Sequence, residues 1–301
     1  MSRQAAGSRR RLLAVAALVA LVTLSGCAFL QGGGDGATDG GTLTPAPTDV
    51  TLSEVRSTAL ASTAEVETYR VNGTVERAFG SPRGPNDPDE IVDPRVVVTE
   101  TRAAVDRTER ELRAVDVQRA DGQTVEVRTW VRNRTLWATS PAFRGDAGRF
   151  RDDYGSEWVV RRPSNFSARW AALDPLTRQR ALLSAANLTL AGVDTDRDAY
   201  VLRGTVSPSA YEAAVGGLAG RFGAEAEYSV TSVAVTYWVD RDTGRPVRFE
   251  GEVGLTVPTE QGTVPVSQRV TLTYDRFGDT VAVTLPDDAP DPEDAGLVAG
   301  P

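Results

Sequence analysis

Residues 228–258 read YSVTSVAVTYWVDRDTGRPVRFEGEVGLTVP, and their alternation decides the architecture. In the second half Val247, Phe249, Val253, Leu255 and Val257 fall on one side of an extended chain. Arg248, Glu250, Glu252 and Thr256 fall on the other. A period of two is the signature of a strand with one buried face. The linking stretch DRDTGRP carries Asp240 and Gly244, the residue types that close a hairpin. Two long antiparallel strands follow, each running ~40 Å for about twelve residues. Such long, one-sided strands predict a strongly curved antiparallel sheet with helices on its concave side.

The same signals extend outward in both directions. After the hairpin, VPVSQRVTLTYDRFGDTVAVTLP (264–286) predicts a third strand and a short fourth. Near the start, Tyr69, Val71, Val75 and Phe79 alternate with Arg70, Asn72, Thr74 and Glu76. RVVVTETRAAV and RELRAVDVQ alternate less cleanly, while TVEVRTWVRN and TLWATS pair across a turn at Asn133-Arg134. Helices announce themselves by caps. Thr51 and Glu54 form a capping box ahead of a stripe of Leu52, Val55, Ala59 and Val66. Asp174-Pro175 supplies an N-cap and first turn for a helix over about 175–186, carrying Leu176 and Leu183. Ser207-Pro208 opens another over about 208–222, where Tyr211, Val215, Leu218 and Phe222 follow helical spacing. DAYVLRGTV between them is a strand. The expected class is therefore α+β and β-rich: a long curved antiparallel sheet with an N-terminal helix and two inserted helices on its concave side.

The N-terminus carries a different kind of message. Arg3, Arg9, Arg10 and Arg11 precede an apolar run from Leu12 to Leu24, and the small residues Ser25 and Gly26 lead into Cys27. The run is shorter than the ~18–20 residues needed to span a bilayer, so it reads as an export signal. LSGC resembles the lipobox of secreted lipoproteins, which implies cleavage before Cys27 and lipid on its sulfur. SRRRLLA resembles the twin-arginine export motif, with Arg9 and Arg10 as the pair. The chain then divides into a signal peptide at 1–26, a lipid-anchored Gly/Thr/Pro-rich linker at 27–50, one β-rich domain at 51–286 and an acidic, Pro-rich, disordered tail at 287–301. The expected location is the cell membrane, lipid-anchored and facing the exterior.

Composition narrows the chemistry. The chain has 33 cations, every one of them arginine, against 41 carboxylates, and no histidine. Loss of residues 1–26 removes four arginines and no acid, leaving 29 cations and a net charge of −12. Such a balance excludes nucleic acid, whose phosphates require basic patches. Without histidine, lysine or a second cysteine there is no Ser-His-Asp, Ser-Lys or Cys-His chemistry, no His- or Cys-ligated metal and no internal disulfide. The sequence holds no catalytic motif and implies no cofactor, and the chain is expected to be a monomer and not an enzyme. Four of the five asparagines, Asn72, Asn133, Asn165 and Asn187, stand in N-x-S/T triplets, as glycan acceptors of an exterior protein would.

An N-terminal helix, a long meander, inserted helices and the hairpin WVDRDTGRPVRFE resemble the LolA/LppX-type lipoprotein-carrier superfamily over residues 51–286. The lysine-free, acid-rich chain also resembles haloarchaeal surface lipoproteins of unknown function. The first resemblance implies that the sheet is an incomplete β-barrel around an apolar cavity that takes acyl chains. Candidate cavity residues are Trp130, Trp137, Trp158, Phe166, Trp170 and Phe249, set against ordinary core packing for the same aromatics. Asp194, Asp196 and Asp198 alternate as calcium-loop ligands do. Ala199 stands where such a loop has glycine, however, and no glutamate closes it, so a solvated acidic turn is expected. The function expected is a tethered extracellular binder of lipid or another apolar ligand. The alternative is a non-catalytic structural or interaction module of the cell surface.

Overall fold

The computed structural model describes residues 42–80, 95–140, 158–215, 228–259 and 262–292. Among these residues twelve strands form one antiparallel sheet. In chain order they are β1 (Leu43–Thr44), β2 (Thr68–Phe79), β3 (Arg95–Asp106), β4 (Glu111–Ala120), β5 (Gln123–Arg132), β6 (Thr135–Thr139), β7 (Trp158–Arg161), β8 (Asn187–Asp194), β9 (Ala199–Thr205), β10 (Ser229–Asp240), β11 (Pro246–Thr259) and β12 (Gly262–Asp275). Their order across the sheet is β1-β8-β9-β10-β11-β12-β2-β3-β4-β5-β6-β7, so the sheet begins and ends on different strands and does not close. Four helices are described: α1 (Leu52–Glu65), α2 (Phe166–Leu173), α3 (Pro175–Ala185) and α4 (Pro208–Val215). The curved β-rich sheet with helices is thus as the periodicity predicts, with α2 in addition to the helices expected.

Local chemistry sets the elements. Thr51 Oγ1 accepts from the Glu54 backbone N–H at 3.3 Å, and Glu54 Oε2 accepts from the Thr51 N–H at 2.9 Å, completing the capping box. Asn165 Oδ1 caps α2 through the Ala168 N–H at 3.0 Å. Asn133 and Arg134 take left-handed φ of 47° and 61° in the β5–β6 turn, the tight turn that suits the twist of two paired strands. In the β10–β11 loop Asp240 Oδ1 accepts from the Thr243 N–H and hydroxyl, both at 2.7 Å. Gly244 there has φ +67°, and a Cβ would sit 2.4 Å from Thr58 Cγ2 of α1. Only glycine meets both demands, and Ser62 Oγ donates to its carbonyl at 2.7 Å.

One continuous apolar core links the four helices to one face of strands β2 through β12. Tyr237, Phe249, Leu176, Leu183 and Leu202 are among its fully buried side chains. The Tyr237 and Phe249 rings lie 5.1 Å apart, and the Phe249 ring folds over Gly251, where a Cβ would meet it at 2.8 Å. On α1 the predicted stripe holds: Val55 and Ala59 are buried, and Leu52 packs against the core. Leu218 and Phe222, expected on the third helix, lie outside the described residues.

Three expectations need correction. Val247 is not beside Phe249 on the core face. A bulge between Trp238 and Val239 leaves Val247 as the extra residue of β11, and it packs on the outer face against Ala199, Val201 and Trp238. The short fourth strand expected after β12 is no strand. Val281, Val283 and Leu285 alternate because they strap the outer face over Trp130, Trp137 and Trp158. That strap also overruns the boundary at 286, since Ala289 packs with it and the Trp137 indole N–H donates to the Pro290 carbonyl at 3.1 Å.

Candidate functional site

The concave floor has two ends with different chemistry. At the first, Asp174 is fully buried and does several jobs at once. It caps α3 through the Leu176 N–H at 3.2 Å, accepts from the Tyr69 hydroxyl at 2.6 Å and from Arg107 Nε at 2.9 Å, and receives the Thr177 hydroxyl. Arg107 also donates to the Thr63 and Val66 carbonyls, both at 2.7 Å, so it holds the end of α1 as well. A buried carboxylate is tolerable only with such full pairing. Burial, followed by the charge and hydrogen bond of Asp174, raises the Tyr69 pKa well above the phenolic range. Burial likewise pushes Tyr274 up, with its ring 5.9 Å from Tyr69. The Tyr237 hydroxyl donates to the Gln179 carbonyl at 3.3 Å, and Arg110 to Ser167 at 3.3 Å. The bonds tying α1, α2 and α3 to the sheet therefore gather at one end of the strands.

Along β2 the floor continues past Tyr69 through Val71 and Val75 to Arg77, eight residues and ~26 Å further on. The continuous core reaches Val75, Val253 and Val270. Beyond and beside it, on the same face of β12, β2, β3 and β4, come Gln268, Arg77, Thr99, Thr101, Asp116 and Gln118, all buried. Register explains the grouping. Thr99 pairs with Val75 and Gln118, and Thr101 with Gly73 and Asp116. Thr101 donates to Asp116 Oδ1 at 2.5 Å, and Arg77 Nε donates to Gln268 Oε1. Two atoms of the band, Thr99 Oγ1 and Gln268 Nε2, are buried with no hydrogen-bond partner. Each such atom costs about 1–3 kcal/mol relative to a satisfied one. Unpaired atoms occur at the other end too, on Thr68, Gln179 and Tyr274. Among the described residues, only here do they belong to a cluster of six buried polar side chains on four adjacent strands.

The residues picked from the sequence fall apart into two sets. Trp130, Trp137 and Trp158 lie on the outer face under the C-terminal strap, with Trp130 and Trp158 rings 5.6 Å apart. Phe166, Trp170 and Phe249 lie in the inner core. Successive strand residues point to opposite faces, so the six aromatics line no common cavity. Asp194 is no solvated turn residue either. It is 1% exposed and accepts from the Asp196 and Arg197 backbone N–H groups, both at 3.1 Å, from Arg197 Nη1 at 2.9 Å and from the Trp238 indole at 2.9 Å. Burial works to raise its pKa, yet the Arg197 and Trp238 donors hold it below the ordinary carboxylate value. Its oxygens are thus committed to the turn. Asp198 pairs with Arg241 at 2.5 Å, and no group of three or more potential ligands is found among the described residues. Asn72, Asn133, Asn165 and Asn187 are all exposed. Cys27, Arg9 and Arg10 lie outside the described residues, and no described helix is long and apolar enough to cross a membrane.

The polar band was not among the sequence candidates. Its one visible signal is Arg77, a cation on the Tyr69–Val71–Val75 face of an otherwise regular strand.

No protein-family model and no curated protein matches the sequence. Among solved structures, lipovitellin, described for its lipid–protein interactions, aligns with 74% of this chain and 27% of its own, at 8% identity and TM-score 0.30. The ywiB protein of Bacillus subtilis aligns over 70% of this chain and 94% of its own, at 7% identity and TM-score 0.20. A beta-barrel-like protein of a domain of unknown function from Brucella abortus aligns over 70% of this chain and all of its own, at 12% identity and TM-score 0.23. At these scores none of the three defines a common fold with this chain.

Proposed function

We propose that this protein is a lipid-anchored, non-catalytic protein of the cell exterior whose half-barrel holds an apolar ligand. One observation carries the proposal. Among the described residues the bonds that tie α1, α2 and α3 to the sheet lie near Tyr69, Arg107 and Tyr237, while buried floor runs ~26 Å on to Arg77. That length suits an acyl chain, and each methylene removed from water there gains about 0.8 kcal/mol. Export through Arg9-Arg10, lipid on Cys27 and glycans on the four exposed asparagines complete the proposal, on the sequence alone. A packed structural module is the second reading, and the close packing of Tyr69, Tyr237 and Phe249 favours it at the helix-filled end.

The experiment is native mass spectrometry, with solvent extraction, of full-length protein taken from the membranes of cells that make it. A stoichiometric lipid-like ligand is expected, along with a mass showing lipid on Cys27. Protein that is ligand-free and takes up no added lipid would leave the structural module standing instead.

A further inference from the structure

We infer that the outer tryptophan face is a docking surface for the C-terminal strap of a second copy of this chain, so that crowded copies pair by exchanging straps. The inference is independent of what the concave side holds, and it draws on the proposed membrane anchoring only for the crowding.

The surface displays the chemistry of what it binds. Trp130 of β5 pairs with Trp137 of β6, and Trp158 and Val160 of β7 fall on the same face by the β6–β7 register. All four side chains are buried, and Val281, Val283, Leu285 and Ala289 of the strap pack on them. From 281 to 285 every second side chain meets the surface, and the Trp137 indole N–H then donates to the Pro290 carbonyl at 3.1 Å. Aromatic surfaces hold extended, proline-bearing chain in this way. Three of the five tryptophans of the chain stand in this one patch, the composition of a binding hot spot.

The strap takes no part in the sheet. No residue from 276 to 292 belongs to a strand, so the strap can leave without breaking a ladder. It is joined to β12 by a reversal in which Arg276 and Gly278 have φ of 51° and 82°. Arg276 holds that left-handed conformation against the preference of a residue with a Cβ, and an extended joint would release it. The reversal is bonded from the Gly278 N–H to the Thr68 carbonyl at 3.1 Å and from the Asp279 N–H to the Arg276 carbonyl at 3.3 Å. Residues 278–280 are exposed, so water can take over both bonds. A short, strained joint of this kind favours exchange of the element beyond it. Each contact that a strap makes on its own surface it makes equally on the same surface of a second copy. In dilute solution the chain's own strap wins, because its effective concentration is on the order of mM. Copies packed on a membrane to a similar density let a neighbour's strap compete. Reciprocal exchange joins two copies and closes, so it does not propagate.

The test separates strap from surface. Full-length Val283→Asp puts a charge into the strap and leaves the tryptophans in place, while full-length Trp137→Ala opens the patch and leaves the strap intact. Each is concentrated in an uncharged detergent, alone and mixed, and dimers are counted by native mass spectrometry after dilution. The mixture is expected to give a heterodimer at about tenfold the dimer level of either variant alone, because the sound strap of one copy fills the sound surface of the other. A mixture with no more dimer than the separate variants would overturn the inference and leave the strap a purely internal brace. Dimers at one level in both variants, the mixture and the unaltered protein would point to another interface, which also overturns it. Where Trp137→Ala does not fold, a peptide of residues 279–292 takes its place. It should bind Val283→Asp about tenfold more tightly than the unaltered protein and shift the indole emission to the blue. Failure of the peptide to bind Val283→Asp would overturn the inference as well.

Discussion

The two ends of the concave floor are built from the same strands and solve opposite problems. At the Tyr69 end a single acid, Asp174, is surrounded by enough donors to justify its burial, and the result locks α1, α3 and the β2–β3 hairpin together. At the Arg77 end more polar groups are buried, yet Thr99 Oγ1 and Gln268 Nε2 remain unmatched. One end uses its polar chemistry to hold the fold. The other buries a band of six polar side chains on four adjacent strands. Polarity inside a β-rich core therefore does not by itself mark a site, and neither does a single unpaired atom, since such atoms occur at both ends.

The comparison breaks most visibly at Asp174. Asp174→Ala leaves Arg107, the Tyr69 hydroxyl and the α3 N-terminus without their acceptor, and should cost about 3–5 kcal/mol in denaturant unfolding. Tyr69→Phe removes one bond to that acid, and a loss of about 1–2 kcal/mol is expected. The same residue gives a pH signature. Because folding raises the Tyr69 and Tyr274 pKa values, their contribution is complete below the unfolded value near ~10 and is lost as pH climbs above it. Stability should fall on the alkaline side beyond ~pH 10, and less steeply in Tyr69→Phe. Unaltered alkaline behaviour in that variant would show that the Tyr69 phenol is not buried as described. The outer face offers a control on the opposite side of the sheet. Val283→Ala loosens the strap over the tryptophans at about 1–2 kcal/mol, with a red shift of indole fluorescence and no effect on ligand uptake. The smallest change sharpens the contrast: Thr99→Val should stabilise the ligand-free protein by up to about 1 kcal/mol, where the same kind of replacement in the Asp174 network destabilises.

Much of this was legible in the residues, and the failures share a cause. The hairpin of 228–258, the capping box at Thr51 and the Asp174-Pro175 helix start rest on local chemistry, which a sequence displays directly. Chain and strand order bring the tryptophans near one another but do not say which face each takes, and Trp130 and Val131 face opposite sides of the same strand. Val247 was placed by counting twos, and a single bulge inverted it. The strap imitated a strand because any extended segment lying on an apolar surface alternates, with or without a ladder. The polar band stayed hidden for a related reason. Thr99, Thr101, Asp116 and Gln118 look like solvent-side residues, since alternation assigns polar positions to water, and only the register of β2, β3 and β4 shows them sharing the inner face. The helix α2 was missed because its eight residues are too few to establish a period.

The open sheet has one more consequence. Twelve strands laid edge to edge, without closure, should leave two rows of unpaired backbone groups for neighbouring molecules to add to, the first step of polymerisation. Here the terminal strands are blunt: β1 is two residues long and β7 four. Beyond the two residues that β1 covers, β8 is bent by a bulge between Leu190 and Gly192. Among the described residues, little straight template remains on either side for a second chain to extend. A protein proposed to stand crowded among its own copies at a membrane surface can thus keep an open sheet without growing into a fibre.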